Sequence, residues 1–261
     1  MEASKQNFAL IRGHIQVARM AYRAGEYHAA YRNLNSAIYE IQGSQGQQID
    51  DIDFHELKHL FGKVQVALRM YEPAEASFRN AIDFGRSAST VPPLAVISDT
   101  RHLAYCLRLR GCYQEAESLY LSCIETLKEI DTKEENQLAK AYLGLALVYI
   151  DAQRLADADK TLAIALAKFE SNPGARSFWS GRALVSLARL RLAQGKRSES
   201  LEILQQALNI LEPLIGPHHP LRLVALRRLA DLLDLEGEER TASAIQSELK
   251  EVEKYLKDHD T

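Results

Sequence analysis

The stretch LALVYIDAQRLADADKTLAIA, residues 145–165, carries a pattern that occurs six times along the chain. It sets a large apolar residue beside a small one (Leu145, Ala146), passes through a turn, and then places small residues at Ala158 and Ala165. The other copies are VARMAYRAGEYHAAYRNLNSA (17–37), FGKVQVALRMYEPAEASFRNA (61–81), LAYCLRLRGCYQEAESLYLSC (103–123), LARLRLAQGKRSESLEILQQA (187–207) and LADLLDLEGEERTASAIQSEL (229–249). The small residue in second place is Ala18, Gly62, Ala104, Ala146, Ala188 and Ala230, spaced 44 residues once and then 42 four times. Twelve residues further on stand Ala30, Ala74, Ala116, Ala158, Ser200 and Ala242. Nineteen further on stand Ala37, Ala81, Cys123, Ala165, Ala207 and Leu249.

This register describes helical hairpins. Small residues let two helices approach closely, and Phe78, Tyr120, Leu162 and Leu204 fill the space beside them. Gly25, Gly111, Gly195 and Gly237 fall where the first helix ends, a place that favours a left-handed residue. Arg69 and Gln153 occupy that slot in the other two repeats. The expected fold class is all-α, with hairpins at about 11–41, 55–86, 97–130, 139–170, 181–214 and 223–257, stacked as one array over 1–261. Joints are expected at 42–52, at 87–94, where Pro92 and Pro93 bar helix, at 170–181 and at the GPHHP of 216–220. The last helix, about 240–257, puts Ile245, Leu249, Val252 and Leu256 on one face and ends the stack with a polar one.

The pattern resembles the tetratricopeptide repeat family, whose hairpins stack into a right-handed α-solenoid. The 42-residue period is similar to the kinesin light chain type, and Gly216, His219 and Pro220 match the Gly-x-x-His-Pro linker of that type. That type usually carries an Asn-Asn pair before the Leu-Ala; here Arg227 and Arg228 stand there, and no repeat keeps the pair. The resemblance implies a non-enzymatic protein that binds peptides along a concave face lined by the first helix of each repeat.

Composition agrees with a folded helical protein. Hydrophobic residues make up 46% and charged residues 26%, and the formal net charge is −3, which does not point to nucleic acid. Cys106, Cys112 and Cys123 are odd in number and form no C-x-x-C pair, so no disulfide framework is expected. Neither a secretory leader nor an apolar run of membrane-spanning length is visible, and the expected location is cytoplasmic.

One stretch competes with this reading. HELKHLFG, residues 55–62, has the His-Glu-x-x-His of a zinc hydrolase, in which two histidines one turn apart bind the metal and the glutamate activates water. The repeat frame argues against it. Gly62 is already the small packing residue, Gln65 stands where a metzincin has its third histidine, and Lys58 puts a charge between His55 and His59. No phosphate loop, dinucleotide fingerprint or nucleophile elbow is found, and no cofactor, metal or catalytic residue is expected.

Counting each repeat so that its small residue is the eighth, positions 2, 5, 9 and 12 share one helical face with 6 and 13 at its edges. These positions hold Arg12, Arg19, Arg23, Lys63, Arg101, Arg108, Lys140, Arg182, Arg189, Arg227 and Arg228 against Glu56, Asp151, Asp231 and Asp234. A surplus of seven positive charges thus lies on the groove positions of a chain that is acidic overall. Among them runs an apolar strip of Tyr105, Leu143, Leu147, Ile150, Val185 and Leu192, which either packs adjacent helices or anchors apolar ligand groups. Arg101 and Arg108, and Arg182 and Arg189, lie two turns apart and flank the strip of the fourth repeat. The expected partner is an acidic peptide or helix with apolar anchors, held by Arg19, Lys63, Arg101, Tyr105, Arg108, Lys140, Leu143, Leu147, Ile150, Arg182, Arg189 and Arg227. Paired groove asparagines, which the carboxylate clamp of chaperone-binding members needs, are absent from these positions. A peptide-responsive regulator is the alternative; RNA binding is disfavoured, with only Tyr22 and Tyr105 as groove aromatics, and homo-oligomerisation is left open.

Overall fold

All eighteen marker positions of the repeat are buried, from Ala18, Ala30 and Ala37 in the first copy to Ala230, Ala242 and Leu249 in the last. The computed structural model describes residues 2–43, 50–130, 135–171 and 178–259, with side chains from 8 to 255. These residues form twelve α-helices and no strand. They are α1 (Glu2–Ala24), α2 (Tyr27–Gly43), α3 (Asp51–Ala67), α4 (Tyr71–Ser87), α5 (Pro93–Leu109), α6 (Tyr113–Glu129), α7 (Glu135–Asp151), α8 (Leu155–Glu170), α9 (Phe178–Ala193), α10 (Arg197–Leu211), α11 (Pro220–Leu235) and α12 (Glu239–His259).

The small residues are small because a ring or branched side chain faces them. A Cβ on Gly62 would lie 2.7 Å from the Phe78 ring, and one on Gly144 would lie 2.3 Å from Tyr120. Phe78 and Tyr120 are themselves buried, so neither can swing away without opening a void. Ser200 keeps its polar group inside the fifth hairpin by donating to the Ala188 carbonyl at 2.8 Å.

One turn serves all six hairpins. The residue after the first helix is left-handed at Gly25, Gly111, Gly195 and Gly237, and also at Arg69 (φ 59°) and Gln153 (φ 60°). Each turn repeats the same two hydrogen bonds. In α7 the Gln153 N–H donates to the Ile150 carbonyl and the Arg154 N–H to the Tyr149 carbonyl. This Schellman arrangement satisfies carbonyls that the helix end would leave bare.

Helix starts differ from expectation by several residues. Pro93 and Pro220 do not bar helix; each opens one, because the first helical residue needs no N–H. Before Pro220, the His219 ring nitrogen Nδ1 accepts the Leu221 N–H at 3.1 Å and caps α11. The joint foreseen at 170–181 is shorter, since α9 begins at Phe178. The joint foreseen at 42–52 is shorter as well, because α3 begins at Asp51, capped by the Asp50 side chain; residues 44–49 lie outside the described ones. In α12, Ala242, Leu249 and Val252 are buried and Ile245 packs partly against them; the Leu256 side chain lies outside the described ones. The Cys106 thiol is buried, donates to the Tyr71 carbonyl at 3.2 Å, and is pushed up to about 11 by that burial.

The chain divides into two compact units, residues 1–119 and 120–261. The first holds α1–α5 and the beginning of α6, with a core of Ile11, Ile15, Leu34, Leu57, Leu60 and Val64. The second holds the rest of α6 and α7–α12, with a core that includes Leu204, Leu211, Leu226, Leu229 and Leu233.

Candidate functional site

In the first unit, helical spacing brings a set of charged groups together. Arg19, Tyr22 and Arg23 project from one face of α1, and Glu56, His59, Leu60 and Lys63 from one face of α3. They line a hollow of about 390 Å³. Arg19 pairs with Glu56, and the Lys63 ammonium lies 4.6 Å from the centre of the Tyr22 ring. Burial, then the positive charges of Arg101 and Arg23, hold Lys63 below the usual lysine range, with Glu56 opposing them. Three basic side chains and one acidic one thus line this hollow. The Arg108 guanidinium stacks 5.1 Å from the Tyr105 ring on α5. A second hollow, of about 360 Å³, has Ile38 and Ile41 of α2 and Phe54, Leu57 and Phe61 of α3 among its apolar lining.

The second unit carries a different cluster. Trp179, at the start of α9, takes the Lys140 ammonium at 4.7 Å and the Arg182 guanidinium at 5.3 Å. Arg189 pairs with Asp151. Arg228 is held below its ordinary value by burial and by Arg189, against Asp151 and Asp231.

Several expected site residues have other work. Of the strip, Leu143, Leu147, Ile150 and Val185 are buried and packed, whereas Tyr105 and Leu192 are half-buried. Position 5 is mixed: Ile15, Leu143 and Val185 are buried there, whereas His59 and Arg101 are half-buried and Arg227 is exposed. At least four of the eleven groove cations are in ion pairs: Arg12 with Asp53, Arg19 with Glu56, Arg189 with Asp151 and Arg227 with Glu253. Asp53 and Glu253 lie outside the groove positions, so counting positions overstated the surplus. Trp179 was missed as a groove aromatic; its place one turn before Arg182 was the available signal.

The histidines of HELKH converge on a residue that no motif marks. Asp99 of α5 is fully buried; its Oδ2 meets His55 Nε2 at 2.7 Å and its Oδ1 meets His59 Nδ1 at 2.5 Å. Burial would raise the Asp99 carboxyl, but the two imidazoles outweigh it and hold the group below the usual range. His102 stacks on Phe78 and meets the Ser98 carbonyl at 2.7 Å through Nδ1. Burial first, then the nearness of Arg101, His59 and Lys63, hold His102 well below its ordinary value. Among the described residues, no group of three or more His, Cys, Asp or Glu is arranged to hold a metal ion. None of the described helices is long and apolar enough to cross a membrane.

Comparison with known proteins places this architecture. The family model described as tetratricopeptide repeat matches residues 137–212 and 179–252. No curated protein matches the sequence significantly. Among solved structures, BtubC (BKLC) from P. vanneervenii is 16% identical at a TM-score of 0.60, covering 98% of this chain and 92% of that one. A Podosopora anserina protein assigned as a kinesin light chain, with nearly identical TPR-like repeats, is 18% identical at 0.53, covering 78% and 96%. The Rap conjugation gene regulator of plasmid pLS20, in complex with the Phr* peptide, is 12% identical at 0.71, covering 95% and 76%. Tetratricopeptide repeats thus occupy residues 137–252, and the hairpins before residue 137 keep the same register, the same buried positions and the same left-handed turn.

Proposed function

We propose that this chain is a non-enzymatic adaptor that holds an acidic segment of another protein against the cationic faces of its first helices. The observation that carries this is the hollow between α1 and α3, where Arg19, Arg23 and Lys63 meet a single glutamate. Burial, and after it the nearby positive charges, disfavour the Lys63 ammonium, and an entering carboxylate offsets those charges. Each charge-assisted pair in such a partly desolvated place contributes about 1.5–3 kcal/mol. The Lys140–Trp179–Arg182 cluster offers a second basic and aromatic surface of the same kind. Peptides bound to the pLS20 Rap regulator, and to NprR with its cognate NprX, make a short peptide a reasonable form for that segment. Because the strip around Leu147 is packed, recognition rests on charge and aromatic contact.

The test is fluorescence anisotropy with a labelled, N-acetylated hexaglutamate amide. The chain binds it, and the charge-neutralised double variant Arg23→Gln, Lys63→Gln binds roughly tenfold or more weakly, with thermal melting run alongside to confirm that it is folded. Equal affinity in the double variant removes the first-unit hollow from the account.

A further inference from the structure

The geometry points to His59 as the group that receives a ligand carboxylate at the wall of the α1–α3 hollow, with Asp99 as the positioning residue behind it. This rests on the reading of that hollow as a site for an acidic segment, and it assigns a role to HELKH other than metal binding. Three observations carry it. His59 lines the hollow beside Arg19 and Lys63. Its Nδ1 is engaged by a fully buried carboxylate at 2.5 Å, which fixes the ring and leaves Nε2 as the nitrogen available to a ligand. The other oxygen of the same carboxylate lies 2.7 Å from His55 Nε2, so Asp99 sits between two imidazoles.

The protonation logic follows from the tautomer. With Nδ1–H donating to Asp99, a neutral His59 presents a lone pair at Nε2, which repels a carboxylate. A protonated His59 presents Nε2–H and donates to it. The imidazolium would then lie between two carboxylates, Asp99 inside and the ligand outside, and binding takes up a proton. The groups facing this ring decide whether His59 can be the one that gains it. From α5, His102 lies edge-on to His59 at 5.0 Å between ring centres and is held well below its ordinary value, and Arg101 is a fixed cation. From α1 come Arg19, already paired with Glu56, and Arg23. From α3 come His55, turned to Asp99, Glu56, paired with Arg19, and Lys63; from α4 comes the uncharged Phe78 ring. His59 is thus the imidazole that both touches the hollow and has a carboxylate behind it.

The experiment is isothermal titration calorimetry of the full chain in two buffers of different ionisation enthalpy, at about pH 6 and about pH 8, on either side of the ordinary histidine range. One probe is N-acetyl-hexaglutamate amide, which has only side-chain carboxylates. A second is N-acetyl-hexaglutamine with a free C-terminus, and uncharged N-acetyl-hexaglutamine amide is the control. Whichever carboxylate source binds, the wild type takes up a proton near pH 8 and binds roughly tenfold more weakly there than near pH 6. His59→Gln abolishes the proton uptake; His59→Lys restores affinity without it. As a check free of folding effects, the His59 Nε2 resonance of the wild type shifts with the bound probe while that of His55 does not. Binding with unchanged affinity and proton uptake in His59→Gln, or with a silent His59 resonance, overturns the assignment and leaves the cationic hollow standing. If neither carboxylate probe binds the wild type at either pH, the hollow itself is not an acidic-segment site, and the His59 assignment falls with it.

Discussion

At the scale of single residues, the packing code was legible and the polar pairings were not. Small residues that recur inside both helices of each hairpin mark close-approach positions, and Gly62 shows how close; Gly144, outside that register, meets Tyr120 more closely still. Gly144→Ala drives a Cβ into the Tyr120 ring and should destabilise the protein by about 1–3 kcal/mol. Thermal melting of Gly144→Ala alone and with Tyr120→Leu checks this, because the smaller partner should recover part of the loss. Asp99 gave no such signal, since an aspartate forty residues after His59 acquires meaning only when α5 packs against α3. Its carboxyl is depressed in the folded state, so the stability it adds is complete above the unfolded carboxyl value. That stability is lost as pH falls through the folded value. Acid titration of the melting temperature should therefore show a drop below about pH 4 that Asp99→Asn lacks. Arg189 illustrates the converse, because a charge that looked available to a partner is spent on Asp151. Reversing it would set two carboxylates together and lower stability, which disqualifies it as a probe of binding alone.

At the scale of elements, the turn is the most uniform feature of the chain. Four of the six left-handed positions are glycine, and Arg69 and Gln153 take the same backbone at some cost because a side chain at positive φ is crowded. Gln153→Gly should raise stability by about 0.5–1 kcal/mol, and Gly195→Ala should lower it by about the same amount. Chemical denaturation of both variants decides the sign. Helix starts were harder to place than helix ends. A C-terminal glycine is visible in sequence, whereas Pro93 and Pro220 look like breakers until their position at the first helical residue is known. Groove faces were legible in outline only. The same helical period that aligns Arg19 with Lys63 also aligns Leu143 with Val185, and periodicity alone does not separate a groove residue from one packed between neighbouring first helices.

At the scale of the whole molecule, the chain is acidic, yet its first helices gather arginines and lysines beside aromatic rings in each unit. Net charge, a property of composition, gave no hint of this. The repeat register did, and the ion pairs with Asp53 and Glu253, which lie outside the counted positions, then reduced the surplus. What survives is a local cationic character strongest where Arg19, Arg23, Lys63 and Arg101 come together. Exposed charge pairs are screened within about 8–10 Å at physiological ionic strength, so a ligand held by them loosens as salt is added. The measurement that bears most directly on this account is the affinity of the intact chain for the labelled hexaglutamate amide as salt rises from about 0.01 to 1 M. The account predicts saturable binding that weakens steeply with salt and is absent for hexaglutamine amide. Binding that is indifferent to salt, or equal for the two peptides, would contradict it.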